Sequence, residues 1–160
     1  MLSVTIIALG RLKEKYLKDA VDEYKKRLST AVKLNMIELS PAPLSQSPSE
    51  KEKENALSSE AEAIRAKIPK GAYTVALCIE GKMLSSEKLA ELFESVPLSG
   101  KSEIVFIIGS SFGLSESIKR EADLRLSMSP MTFPHQLARI MLLEQIYRST
   151  QINSGGKYHK

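Results

Sequence analysis

The sequence predicts an α/β fold in one domain over residues 1–160: a mostly parallel sheet covered by helices on both faces. Strand-like apolar runs alternate with helical patterns along the whole chain. Those runs are near-continuous in Val, Ile and Leu rather than alternating, as strands buried on both faces are. At 160 residues the chain is long enough for one domain with a real core.

Each element has a local reason. Leu2–Leu9 is an apolar, β-branched run that Gly10 closes. Over Leu12–Leu28, Leu17, Ala20, Val21, Tyr24 and Leu28 recur at steps of three and four, which predicts an amphipathic helix. Val32–Leu39 is a second strand, and Ser40–Ser49, rich in Pro and Ser, is a loop. Ser49 is placed to cap a helix running to Ile68, with Glu50, Glu52 and Glu54 near its positive end. Pro69 and Gly71 break it, and Tyr73–Ile79 is a third strand. Ser85 starts a helix carrying Leu89, Leu92 and Phe93, which Pro97 ends. Ile104–Ile108 is a fourth strand, Ser115–Ala122 a short helix and Leu124–Met128 a fifth strand. Pro134 suits the first turn of a final helix reaching Ile152, because its missing N–H costs little there.

That last helix is unusual. From Leu137 to Leu143 only Arg139 is charged, and Ile146 and Tyr147 extend the apolar content. A helix apolar almost all round must be buried, either in a homodimer interface or against its own sheet; the sequence favours the homodimer. Arg139 in such surroundings needs a carboxylate, a carbonyl or a phosphate. Pairing across a dimer and binding RNA meet that need equally well.

Composition narrows the function. Hydrophobic content of 42% and charge of 26% are ordinary for a globular domain. The net charge of +4 admits an RNA partner without requiring one. The single cysteine, Cys78, lies in an apolar run and is expected to be a reduced, buried small hydrophobe. The amino terminus has no basic leader, and no apolar run approaches the roughly 18 residues of a membrane span. The expectation is a cytoplasmic protein without a membrane partner. One cysteine and two distant histidines, His135 and His159, make a metal site improbable. No Walker-type Gly-x-x-x-x-Gly-Lys motif and no Gly-x-Gly-x-x-Gly are present.

Two small-residue loops carry the chemistry. Gly109-Ser110-Ser111-Phe112-Gly113 follows the fourth strand, and Met128 to Phe133 follows the fifth. The first loop matches the Gly-x-Ser-x-Gly hydrolase elbow, with Asp123 and His135 in suitable order. No Gly-rich oxyanion loop precedes it, so a hydrolase using Ser111 is the poorer reading. The better one is a ligand cradle. Gly109 and Gly113 allow close backbone approach or positive φ, and ligands collect beyond the carboxyl ends of strands in such sheets. A third strand end, Leu77-Cys78-Ile79 running into Glu80-Gly81-Lys82, completes room for a nucleoside-sized cofactor.

On these residues the chain resembles the RlmH family of small SPOUT-class methyltransferases. The resemblance covers nearly the whole chain. It is carried by Thr5–Arg11, Leu77–Lys82, Ile107-Ile108-Gly109 with Gly113-Leu114-Ser115, Phe133-Pro134-His135, Glu144–Arg148 and Tyr158-His159-Lys160. It implies a C-terminal trefoil knot (the SPOUT, or α/β-knot, fold), a homodimer, and S-adenosylmethionine as cofactor. It also implies methylation of N3 of a pseudouridine in 23S ribosomal RNA. Carried over by motif, the implied cofactor contacts are Leu77, Gly109, Met128, Ser129, Pro130, Met131, Thr132 and Phe133.

Methylating a ring N3–H requires its proton to leave, so a general base is expected. The candidates are His159, then Glu144, then His135. The plainer roles are an ion pair with Arg148, four residues on, for Glu144, and orientation of the first helical turn for His135. The tail Asn153–Lys160 reads as flexible, then basic and aromatic. It is expected to order on RNA, stacking a base on Tyr158 with Lys157, His159 and Lys160 alongside and Arg139 as a further contact. From Pro134 onward four basic residues face one acidic one, so much of the charge excess sits there. With no separate RNA-binding domain, the expected substrate is 23S ribosomal RNA within the assembled ribosome. The alternative is a non-catalytic ribosome-binding factor with a cofactor-like fold.

Overall fold

The computed structural model describes residues 1–160. Five strands form one parallel sheet in the order β2-β1-β4-β3-β5: β1 Ser3–Leu9, β2 Lys33–Leu39, β3 Tyr73–Met83, β4 Glu103–Ile108 and β5 Leu124–Ser127. The helices are α1 Lys15–Leu28, α2 Glu50–Arg65, α3 Ser86–Leu98, α4 Glu116–Glu121 and α5 His135–Asn153. No helix is long and apolar enough to cross a membrane.

The uniform apolar runs have the predicted cause. In β4, Ile104, Phe106 and Ile108 point to one face and pack with α1, α3 and α5. Val105 and Ile107 point to the other and meet Ala61 and Ile64 of α2 and Ile118 of α4. Successive side chains alternate faces, so a strand covered twice must be apolar throughout.

Boundaries differ from expectation where a tertiary contact intervenes. Helix α1 starts three residues late because the preceding turn is tethered: Leu12 N–H donates to Glu38 and Lys13 N–H to Gln136. Ser49 caps α2 as predicted and forms a capping box with Glu52, but the helix stops at Arg65. Pro97 sits inside the last turn of α3 instead of ending it. Strand β3 runs on to Met83, bulging between Leu77 and Lys82, both of which pair with Leu126. Gly81 is needed there, since a Cβ on it would lie 2.8 Å from the Arg125 carbonyl.

Helix α5 buries Arg139, Leu142, Leu143, Ile146 and Ser149 within its own chain, packed with α1 and α3. The apolar character that suggested a dimer interface is therefore largely accounted for by intrachain packing. Arg139 also finds its partners inside the chain. Its Nη1 lies 2.6 Å from Glu38 Oε2, and its Nη2 donates to the Gly10 carbonyl at 3.1 Å. At 1% exposed it is a structural cation and is not available to RNA in this arrangement, which corrects that expectation.

Candidate functional site

The loops beyond the carboxyl ends of β3, β4 and β5 surround one cavity of about 790 Å³. That is within the range of small-molecule sites, roughly 300–1,000 Å³. Its walls are mainly apolar, with Ser110, Ser129 and Thr132 adding hydroxyls and Glu80, Lys119 and His135 adding titratable groups.

Each wall has a local cause. The β4 loop turns tightly: Gly113 N–H donates to the Ser110 carbonyl at 2.8 Å, and Gly113 holds φ +80°. Gly109 packs so closely on this turn that a Cβ would fall 2.3 Å from the Gly113 carbonyl oxygen. The turn itself therefore demands glycine at position 109. Ser115 then caps α4 by accepting from Ile118 N–H. The β5 loop is held by Ser127 donating to the Ser129 carbonyl and by Met131 N–H donating to Ser129 Oγ. The β3 bulge supplies Cys78, Ile79 and Glu80.

Of the residues that the family resemblance pointed to as cofactor contacts, Leu77, Gly109, Met128, Ser129, Met131, Thr132 and Phe133 all line this cavity. Pro130 does not; it is exposed at the tip of the turn. His135 opens α5 and lines the cavity, with its Nε2 3.8 Å from where a Gly10 Cβ would stand. Cys78 is half-buried at the cavity wall rather than in the core, and burial pushes its thiol up. Sequence reasoning missed Lys119. Its ammonium lies 2.6 Å from Glu80 and its side chain is 13% exposed. Burial opposes the Lys119 charge, but the hydrogen bond and charge of Glu80 outweigh it and raise its pKa.

The other two candidate bases, Glu144 and His159, do not line this cavity. Glu144 lines an adjoining groove that shares Leu126 and Met128 with it. The Glu144 carboxylate accepts from Tyr158 Oη at 2.6 Å, Tyr24 Oη at 2.8 Å and Arg148 Nε at 2.9 Å. The predicted ion pair with Arg148 is thus present. Burial works against the Glu144 charge, but the three donors prevail and hold it below the usual carboxylate range. A carboxylate so stabilised is a weak base, which counts against Glu144 in that role. The same packing pushes the Tyr24 phenol up to about 12, through burial first and the Glu144 hydrogen bond second.

The tail folds back onto the chain, contrary to the flexible segment expected. Tyr158 meets Tyr147 edge-on at 4.9 Å and lies under the Arg148 guanidinium at 4.7 Å. His159 Nδ1 is 3.0 Å from Arg148 Nη1 and its Nε2 is 2.6 Å from Glu87 Oε1. A guanidinium only donates, so Nδ1 accepts and Nε2–H donates to Glu87. The lone pair that a base would use is engaged. Lys157 and Lys160 are exposed.

The hydrolase triad does not assemble. Asp123 accepts from the Thr74 N–H and hydroxyl and lines a different cavity with Gly71 and Lys101, whereas Ser111 and His135 line the one beyond the strand carboxyl ends.

A parallel sheet with one large cavity beyond three of its strand ends defines an α/β domain built to hold a small ligand. The chain belongs to the SPOUT methyltransferase family: the family model described as "Predicted SPOUT methyltransferase" matches residues 2–159. It is 50% identical over 159 residues to the ribosomal RNA large subunit methyltransferase H of Clostridium novyi, covering 99% of this chain and 100% of that one. It is 49% identical over 159 residues to the protein of the same name from Alkaliphilus oremlandii, with the same coverage. Among solved structures, a "probable methylase family protein" from Haemophilus influenzae aligns with TM-score 0.56. It covers 100% of this chain and 72% of that one at 14% identity, a likeness of fold.

Proposed function

We propose that residues 1–160 form one S-adenosylmethionine-dependent methyltransferase domain that methylates N3 of a pseudouridine in 23S ribosomal RNA on the assembled ribosome. The observation that carries this reading is the convergence of the β3, β4 and β5 loops on one cavity, lined by seven of the eight residues implied as cofactor contacts. The residues fit such a group: apolar walls for an adenine ring, hydroxyls and backbone groups for ribose and carboxylate, and a glycine turn with no space for a Cβ. S-adenosylmethionine would supply an electrophilic methyl on a sulfonium sulfur for N3, whose proton would pass to a base of this chain.

The protein's part is placement and charge. Leu77, Gly109 and the Met128–Phe133 loop hold the cofactor, and Thr132 and His135 face the same space. His159 accepts the N3 proton at Nδ1 after RNA draws the tail off Arg148. Glu144 keeps its charge and holds Tyr24 and Arg148 in register. Lys157 and Lys160 contact phosphate.

A homodimer belongs to this proposal, supported by apolar side chains left exposed on the end of β3 and the β5 loop: Ile79 at 52%, Met83 at 62% and Met131 at 72%. The knot belongs to it too, supported by β5 lying outside β3 and by the close pass of Gly81 along β5. A cytoplasmic location follows from a ribosomal substrate.

The test has two arms. Calorimetry should detect S-adenosylmethionine uptake, and mass mapping of 23S rRNA with and without the protein should show one methylated pseudouridine. Uptake without methyl transfer would favour a non-catalytic ribosome-binding factor. No uptake at millimolar cofactor would defeat the reading.

A further inference from the structure

Beneath the β4 loop lies a carboxylate that none of the proposed chemistry uses. Glu60, on α2, is 6% exposed. Its Oε1 accepts from Ser110 Oγ at 3.0 Å, and its Oε2 accepts from Ala42 N–H at 2.9 Å. Ser110 lines the cavity; Ala42 does not. A buried carboxylate needs such partners, and here they come from two separate segments of chain.

The second partner is distinctive. Ala42 stands between Pro41 and Pro43, which have no N–H, so its amide is the single main-chain donor of that three-residue run. That donor goes to Glu60. The same helix touches the β4 loop again, seven residues earlier, where the Lys53 ammonium lies 5.0 Å from the Phe112 ring centre. Seven residues is two turns, so Lys53 and Glu60 share one face. The capping box at Ser49 and Glu52 fixes the start of that face.

We propose that Glu60 is a positioning residue that sets the Ser110 turn for S-adenosylmethionine and ties it to the Pro41–Pro43 segment, so that the two order together. This rests on the cavity being the cofactor site. Glutamate suits the task because it accepts on both oxygens. Glutamine can replace it in one arrangement: its oxygen accepts from Ala42 N–H, and its NH₂ donates to Ser110 Oγ, whose hydroxyl then turns to accept. Leucine fills the space and severs both ties.

The test compares Glu60→Leu, Glu60→Gln, Ser110→Ala and, as a control for helix stability alone, Ala63→Gly at an exposed position of α2. Cofactor affinity is read by calorimetry, and Ala42 amide exchange by NMR. Glu60→Leu is expected to weaken S-adenosylmethionine binding about tenfold, and Glu60→Gln by less than about threefold. Ala63→Gly should lower the melting temperature without weakening binding. In the wild type the cofactor should slow exchange at Ala42, although Ala42 does not line the cavity, and Ser110→Ala should remove that protection. Equal affinity in Glu60→Leu and wild type, or an affinity loss in Ala63→Gly matching that in Glu60→Leu, would overturn the positioning role. Wild-type protein that takes up no cofactor would overturn the cavity assignment and the cofactor part of the proposal together. The tie itself is then decided without ligand: Ser110→Ala must speed Ala42 exchange, and unchanged exchange refutes it.

Discussion

Arg139 Nη1 and Glu38 Oε2 stand 2.6 Å apart, joining the first turns of α5 to the end of β2. Arg139 is 1% exposed and its Nε has no hydrogen-bond partner, whereas Glu38 is 40% exposed at its side chain. The pair is thus half buried. Burial opposes the Glu38 charge, but Arg139 and the Leu12 amide prevail and lower its pKa. A lowered folded-state pKa gives stability that is present above the unfolded value and is lost as pH falls through the folded one. Arg139→Ala should cost about 3 kcal/mol, by loss of packing and of the buried guanidinium's contacts. Glu38→Gln should cost about 1 kcal/mol, discounted for solvent. Urea denaturation at pH 7 checks both. Repeating it below the ordinary glutamate range should shrink the gap between Glu38→Gln and wild type; a constant gap would contradict the pairing.

The β4 turn separates two kinds of glycine. Gly109 has no room for a Cβ, whereas Gly113 has open space but φ +80°. Gly109→Ala should therefore distort the cavity wall and weaken S-adenosylmethionine binding by more than about tenfold, while Gly113→Ala should cost about 1 kcal/mol of stability with a smaller loss of affinity. Calorimetry and thermal melts on the two variants test the ordering. Unchanged affinity in Gly109→Ala would place the cofactor elsewhere.

Removing Tyr158 to Lys160 should abolish methyl transfer to ribosomes while leaving cofactor affinity in place, because none of the three lines the cavity. It also strips one donor from Glu144. The Glu144 carboxyl should then titrate closer to its ordinary value, as should that of Tyr24→Phe protein, which loses another donor. Side-chain NMR titration reads this directly. A truncated enzyme that still methylates would remove the tail from the mechanism.

Cys78 offers a chemical probe of the cavity. Burial raises its thiol pKa, so a disulfide reagent should label it slowly at neutral pH and faster in alkali. Bound S-adenosylmethionine should protect it, since Cys78 is in the cavity wall. Labelling at the same rate with saturating cofactor would contradict that placement.

Strand and helix identities were legible because the central strands β1 and β4 are buried on both faces and helices such as α1 on one. Their order in the sheet was not. Nothing in Leu124–Ser127 announces that it pairs with β3 rather than β4, because parallel pairing leaves no local turn signal. The β3 bulge was hidden for the same reason: Cys78–Gly81 reads as a strand end, and only the second pairing at Lys82 shows that the strand resumes. At the site, the loops were readable through their glycines. Glu60 and Lys119 were not, since a charged residue on a helix looks solvated until its partner is known. Arg139 could be flagged as needing a partner, yet the choice of Glu38 depended on β2 lying beside β1.

The order of strands has a bearing on how the molecule is made. β3 leaves the site of synthesis long before its outer neighbour, so its flank waits unpaired until residues 124–127 emerge. Contacts closed over such distances form slowly, and an open β-flank invites aggregation meanwhile. The cavity beyond the strand ends is later still, needing the Met128–Ala138 wall. A nascent chain therefore holds no working enzyme until translation is nearly finished.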